Sequence, residues 1–239
     1  MQRFPSEEEN SPAFLKVLRF VSEEVAANDA SHDVDHCVRV ARLAHTISKE
    51  ERHASPEIAR LAGLLHDVVD EKYVSEDRRD AVLKAVMTLL SVELGLAERD
   101  VKDILATIEG CGFRKQLARE TVAGEEEALS PVLKYVQDAD MLDAIGAVGI
   151  ARCFTFGGAR NRPLYSSDTI GSLSLENPER VSHCEYQTKK APSIDHFFEK
   201  LLHLKNMMQT ETGRKLASQR HTLMQDYLRA FFDEVAGHA

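Results

Sequence analysis

Apolar residues recur at three- and four-residue spacing along most of this 239-residue chain, over 12–28, 34–53, 56–69, 76–90, 97–109, 131–153, 193–208 and 211–236. That period is the signature of helices burying one stripe, and no comparable run of alternating residues competes with it. Ser55-Pro56 reads as an N-cap followed by proline at the first helical position, which starts the third helix sharply. With only 12 glycines and 7 prolines, most of them outside these segments, the expected fold is all-α with a core large enough for independent stability. Residues 155–191 break the pattern with Gly, Ser, Asn and Pro, and are expected to form a long loop. Loops of that length usually act as lids or binding segments, and Arg160 and Arg162 give this one positive charge for a substrate.

Charge and cysteine usage exclude several classes. The net charge of −9 offers no basic face for a nucleic-acid backbone, so an anionic substrate would need local cations or metal ions. Cys37, Cys111, Cys153 and Cys184 form no CxxC pair and are expected to stay reduced. No signal segment opens the sequence and no stretch of about 18 apolar residues occurs, so a soluble, cytoplasmic protein is expected.

The chemistry concentrates where His66-Asp67 closes the apolar run Leu61-Ala62-Gly63-Leu64-Leu65. A carboxylate in such a segment needs a cation or hydrogen bonds to offset its desolvation. If the helix continues at about 100° per residue, Asp70 falls between His66 and Asp67 and one turn on. One ion would then meet His66 and Asp67 while Asp70 faces its water.

Two further segments supply candidates. In Ser31-His32-Asp33-Val34-Asp35-His36, either Ser31 or Asp33 is placed to cap the next helix, which sets His36, Arg39 and Val40 on one face. In the helix over 131–153 the expected inward stripe is Val132, Val136, Asp140, Asp143 and Ala147. Asp138 lies about 200° from Asp140. That favours Asp140 as a ligand, with Asp138 as the alternative if the helix begins or bends there. Two imidazoles and two carboxylates from three helices form a mixed nitrogen and oxygen set. Such a set suits Mn²⁺ first, with Mg²⁺, Fe²⁺, Co²⁺ or Ni²⁺ as alternatives, at an open octahedral site rather than structural Zn²⁺.

Positive charge for an anionic substrate would come from Arg39, Lys72, Lys200, Lys205 and Arg220. Lys200 and Lys205 stand about 140° apart around a helix, so they do not strictly share a face. Phe197, Leu201 and Leu204 read as core, and Gly146 and Gly149 as sites of close packing rather than a phosphate loop.

His36-x-x-Arg39-Val40, Leu-Leu-His66-Asp67-Val-Val-Asp70 and Ala139-Asp140-x-Leu142 occur in the order and separation of the HD-domain metal-dependent phosphohydrolases, and the sequence resembles that family. The segments 137–152 and 196–205, with Thr-Glu-Thr at 210–212 and Gln-Arg-His at 219–221, resemble the bacterial nucleotide pyrophosphohydrolase type over nearly the whole chain. The resemblance implies one HD-type helical domain over 1–239 and a metal set of His36, His66, Asp67 and Asp140. Asp70 would handle the catalytic water, followed by Glu71 as in related guanosine tetraphosphate hydrolases. The implied reaction is hydrolysis of a nucleoside triphosphate to monophosphate and pyrophosphate. The alternatives are a 5′-nucleotidase or other phosphomonoesterase, or a regulatory module that binds metal and nucleotide without turnover.

Overall fold

The computed structural model describes residues 11–28, 32–71, 73–121, 129–168, 173, 175 and 191–238, with backbone alone at 120 and 121. Among these residues there are helices and turns and no strand, so the fold is all-α as the apolar period implies. No single described helix is long and apolar enough to cross a membrane. The chain forms two compact units, one from Met1–Asn28, His32–Cys111 and Glu126–Val136, the other from Asp29–Ser31, Gly112–Glu125 and Gln137–Ala239.

The first unit holds α1 (Pro12–Glu24), α2 (Val34–Glu50), α3 (Pro56–Leu65), α4 (Glu76–Thr88), α5 (Glu98–Gly110) and the opening of α7 (Pro131–Asp143). The wide turn Leu89–Glu93 extends α4. Ser11 caps α1 by accepting from the Phe14 amide at 3.1 Å, and its hydroxyl donates to Glu57 at the start of α3. Val21, Val40, Ile47, Leu61, Leu64, Leu90, Ile104 and Ile108 are all buried here. Arg60 is buried too, with its guanidinium 4.0 Å above the Phe14 ring and 3.3 Å from Glu57, so its charge keeps partners.

The contact that positions the site is between α2 and α3. A Cβ on Gly63 would lie 2.8 Å from the Ala41 Cα, so only glycine lets the two backbones approach this closely. The end of α3 is thereby held against the Val40–Ala41 stretch of α2. The third helix stops at Leu65, not at 69 as its apolar period suggests. Beyond it the amides of Val68 and Asp70 bond three residues back, to Leu65 and Asp67, so the chain winds into tighter turns.

The second unit holds α6 (Phe113–Thr121), the end of α7, α8 (Gly146–Ala159), α9 (Asp195–Glu199), a 3₁₀ segment (Leu201–Met207) and α10 (Glu211–Val235). The continuous helix expected over 131–153 is broken at Ala144–Ile145, where Gly146 takes a φ of +75° and the chain bends by 69°. A Cβ on Gly146 would lie 2.9 Å from the Arg220 side chain of α10, the close packing expected there, whereas one on Gly149 would collide with the Ala144 carbonyl in the turn just before α8. The helix expected over 193–208 is a short α-turn followed by 3₁₀ winding. Of the loop expected at 155–191, residues up to Ala159 still belong to α8, and most of 169–190 lies outside the described residues. Phe197, Leu201 and Leu204 are core, beside Phe154, Tyr227 and Phe231.

Candidate metal centre

Asp33, not Ser31, is the observed cap of α2. Its carboxylate accepts from the His36 amide at 3.0 Å, and Ser31 lies outside the described residues. This starts the helix so that His36, in its first turn, is buried with Val40 and faces the turn after α3. The His36 and His66 rings stand edge to face, 5.1 Å between centroids. Asp67 lies between them, with one oxygen 3.5 Å from His36 Nε2 and the other 3.4 Å from His66 Nε2.

The protonation pattern follows from the partners. His66 Nδ1 is 2.8 Å from the Gly63 carbonyl, which only accepts, so Nδ1 carries the proton. His66 Nε2 then faces a carboxylate oxygen. Two electron-rich atoms facing each other at 3.4 Å call for a proton or a cation between them. Burial alone would raise the Asp67 pKa, but His66, His36 and His32 outweigh it and hold the carboxyl well below the usual carboxylate range. The carboxylate is therefore ionised and available as a ligand. Donor atoms of His36, His66 and Asp67 all lie within 4.8 Å of one another. Two imidazoles, one with its Nδ1 side pinned by a backbone carbonyl, and one carboxylate fit a divalent transition ion.

Other candidates are placed as follows. Asp70 is half-buried, and its carbonyl accepts from the amides of Tyr73 and Val74 at 3.0 and 2.9 Å. Glu71 is exposed, Arg39 is half-buried one turn after His36, and Lys72 lies outside the described residues. In the second unit Asp140 is half-buried on α7, whereas Asp138 is fully buried. The one-sided stripe expected for this helix is corrected, since Gln137, Asp138 and Ala139 are as buried as Val136 while Ala147 is exposed. Asp138 is committed to other partners: it accepts from the amides of Gln209 and Thr210 at 2.9 and 2.8 Å and from the Thr210 hydroxyl at 2.7 Å. Asp143 pairs with Arg152 at 2.8 Å, and Arg220 donates to the Leu142 carbonyl at the end of α7. The Lys200 ammonium lies 4.6 Å from the Phe113 ring centroid, and Arg160 is exposed above Phe156 at 3.9 Å. Lys205 is half-buried.

The sequence reading misses His32 and Tyr73. His32 stands 5.7 Å from the His36 ring, and its Nδ1 is 3.2 Å from the Tyr73 hydroxyl. Its only sequence signal is a position four residues before His36, ahead of the helix, where periodicity says nothing.

Residues 33–145 match the HD domain family. YpgQ of Bacillus subtilis is 34% identical over 93% of both chains. The structure of YpgQ in complex with ADP superposes with a TM-score of 0.65 at 31% identity, covering 93% of this chain and 97% of that one. An HD-superfamily hydrolase from Bacillus thuringiensis gives 0.64 at 30% identity, covering 93% and 96%. The chain belongs to the HD-domain superfamily of metal-dependent phosphohydrolases, in the family that includes YpgQ.

Proposed function

We propose that this protein hydrolyses nucleoside triphosphates to the monophosphate and pyrophosphate, using a divalent ion, Mn²⁺ first among the candidates, held by His36, His66, Asp67 and Asp140. What supports a nucleotide over another phosphorylated compound is the ADP that YpgQ holds. The reading takes residues 1–239 as one functional domain, in the cytoplasm, acting on a small phosphorylated substrate rather than on nucleic acid or a membrane.

A divalent ion held there would polarise a phosphoryl oxygen and lower the pKa of the attacking water. Asp70 then orients that water, accepts its proton as the oxygen attacks the α-phosphorus, and returns a proton as the bond to the bridging oxygen breaks and pyrophosphate leaves. Glu71 supports Asp70. Arg39 is the nearest cation on the same helix as His36 and neutralises charge on the equatorial oxygens. Lys72, Lys200, Lys205, Arg160 and Arg220 are the further candidates to hold the phosphate chain.

The test is product analysis by ion-exchange chromatography after a panel of nucleotides is incubated with metal-stripped protein resupplied with Mn²⁺. Monophosphate plus pyrophosphate is the expected result. Nucleoside plus phosphate would replace this reading by a phosphomonoesterase, and no turnover with metal bound would replace it by a regulatory module. Asp70→Asn is expected to stop release while the ion at His36, His66 and Asp67 stays bound.

A further inference from the structure

Three bases gather in the second unit. His203 and Lys205 stand on the 3₁₀ segment, which packs against α10, and His221 stands on α10. All three are half-buried. His203 Nε2 is 2.9 Å from the Phe198 carbonyl, which only accepts, so that nitrogen carries the hydrogen and the ring is held in place. Lys205 has no acidic partner among the described residues.

The surroundings of His221 show how one-sided the cluster is. Burial, then the charges of Lys205 and His203, push its pKa down, and no acid among the described residues offsets them. Its Nδ1 is closed off from solvent and has no partner there, so a hydrogen on that atom would be stranded. The neutral ring therefore carries its hydrogen on Nε2 and can donate it. Like charges held together repel one another, and in a chain of net charge −9 acids to pair with them are plentiful. What such a cluster selects is an anion. We infer that His203, Lys205 and His221 form a binding site for phosphate groups, with a diphosphate as its fullest occupant.

The donor set favours phosphate over a carboxylate. A lysine ammonium offers three hydrogens and each imidazole adds its own from another direction, which a tetrahedral phosphate meets better than a flat carboxylate. His203 has its Nε2 hydrogen committed to Phe198, so it reaches the anion through Nδ1 once a second proton is bound, and the anion's charge favours that proton. The use of the site rests on the phosphohydrolase reading, but its existence does not. Under that reading it would take the two phosphates that leave, which sets Lys205 apart from the other candidate cations and adds two histidines to it.

The experiment is calorimetric titration of the full chain, stripped of metal so that no ion competes for the oxygens, with inorganic pyrophosphate. One pyrophosphate per chain is expected for the native sequence. Lys205→Met and His221→Gln should each weaken it about 10-fold or more, the usual effect of losing a charge-assisted hydrogen bond. Lys84→Met, exposed on α4 in the first unit, should bind as the native chain does. Should a variant fail to fold, proton resonance on the native chain replaces it: added pyrophosphate should raise the pKa of His221, since an anion stabilises the imidazolium. No binding to the native chain, an equal loss in Lys84→Met, or a His221 titration that stays put would overturn the inference. Pyrophosphate binding without nucleotide turnover would leave the site standing and remove the nucleotide reading. Turnover with native KM in both site variants, and no pyrophosphate binding, would do the reverse.

Discussion

His66 and Gly63 are joined twice over: the imidazole Nδ1 donates to the Gly63 carbonyl at 2.8 Å, and the missing side chain of Gly63 is what lets α3 carry His66 up against α2. One residue thus sets both the tautomer of a candidate ligand and its distance from the other imidazole. Gly63→Ala would place a methyl 2.8 Å from the Ala41 Cα, and neither backbone can yield alone. We expect a loss of about 1–3 kcal/mol, the usual cost of overpacking, with the melting temperature falling by about 2–4 °C per kcal/mol. Weakened Mn²⁺ binding should accompany it, because His36 and His66 move apart. Thermal unfolding and a metal titration check this, and an unchanged melting temperature would refute the packing argument.

His66→Ala and Asp67→Ala should each empty the ion site as well as end turnover. The loss in affinity should exceed the about 10–100-fold that follows removal of a mere supporting partner. Elemental analysis after dialysis decides it, and full occupancy in either variant would sink the ligand assignment. The same assay on Asp140→Ala tests the fourth ligand, which rests on the resemblance.

Asp138 and Thr210 form a separate, structural unit. Thr210 caps α10 through the Gly213 amide at 2.9 Å while donating to Asp138. Thr210→Val removes both bonds and should cost about 1–2 kcal/mol. Burial raises the Asp138 pKa and outweighs the hydrogen bonds from Gln209 and Thr210 and the charge of Arg214. The folded state therefore holds this proton more tightly than the unfolded one. Its stabilising effect is complete below the ordinary carboxylate value of about 4 and is lost as pH rises through the raised one. Asp138→Asn does not titrate, so the stability gap between native protein and variant should narrow from pH 4 towards pH 7 in urea titrations. A gap that widens would reverse the sign argued here.

The helices could be read from the sequence because their apolar periods are long and their starts are marked, as at Ser55-Pro56, where the proline opens α3 although the Ser55 side chain makes no capping hydrogen bond. The α6 segment Phe-Arg-Lys-Gln-Leu-Ala-Arg-Glu-Thr was missed because its polar majority hides the stripe. The break before Gly146 was missed for the opposite reason, since the apolar period runs on through it. His36, His66 and Asp67 could be read because an ionisable group on an apolar face demands a reason to be there. The burial of Asp138 could not, because helical angle identifies an outward face only where one side of a helix meets solvent, and this stretch of α7 is covered all round.

Cys153 tests the second unit by a different route. Burial pushes its thiol up to about 12, against the opposing charges of Arg162 and Lys200, and its Sγ donates to the Ser193 carbonyl at 3.3 Å. At pH 8 almost no thiolate exists in the folded chain, so iodoacetamide should leave Cys153 unmodified there and label it readily in urea. The unfolded thiol ionises near about 8.5, so the stability tied to the neutral form is complete below that value. It is lost progressively as pH climbs towards 12, and Cys153→Ala should flatten this part of the stability profile. Rapid labelling of Cys153 at pH 8, mapped by peptide mass spectrometry on folded protein, would show that its ionisation is not suppressed and that Ser193 does not hold the thiol.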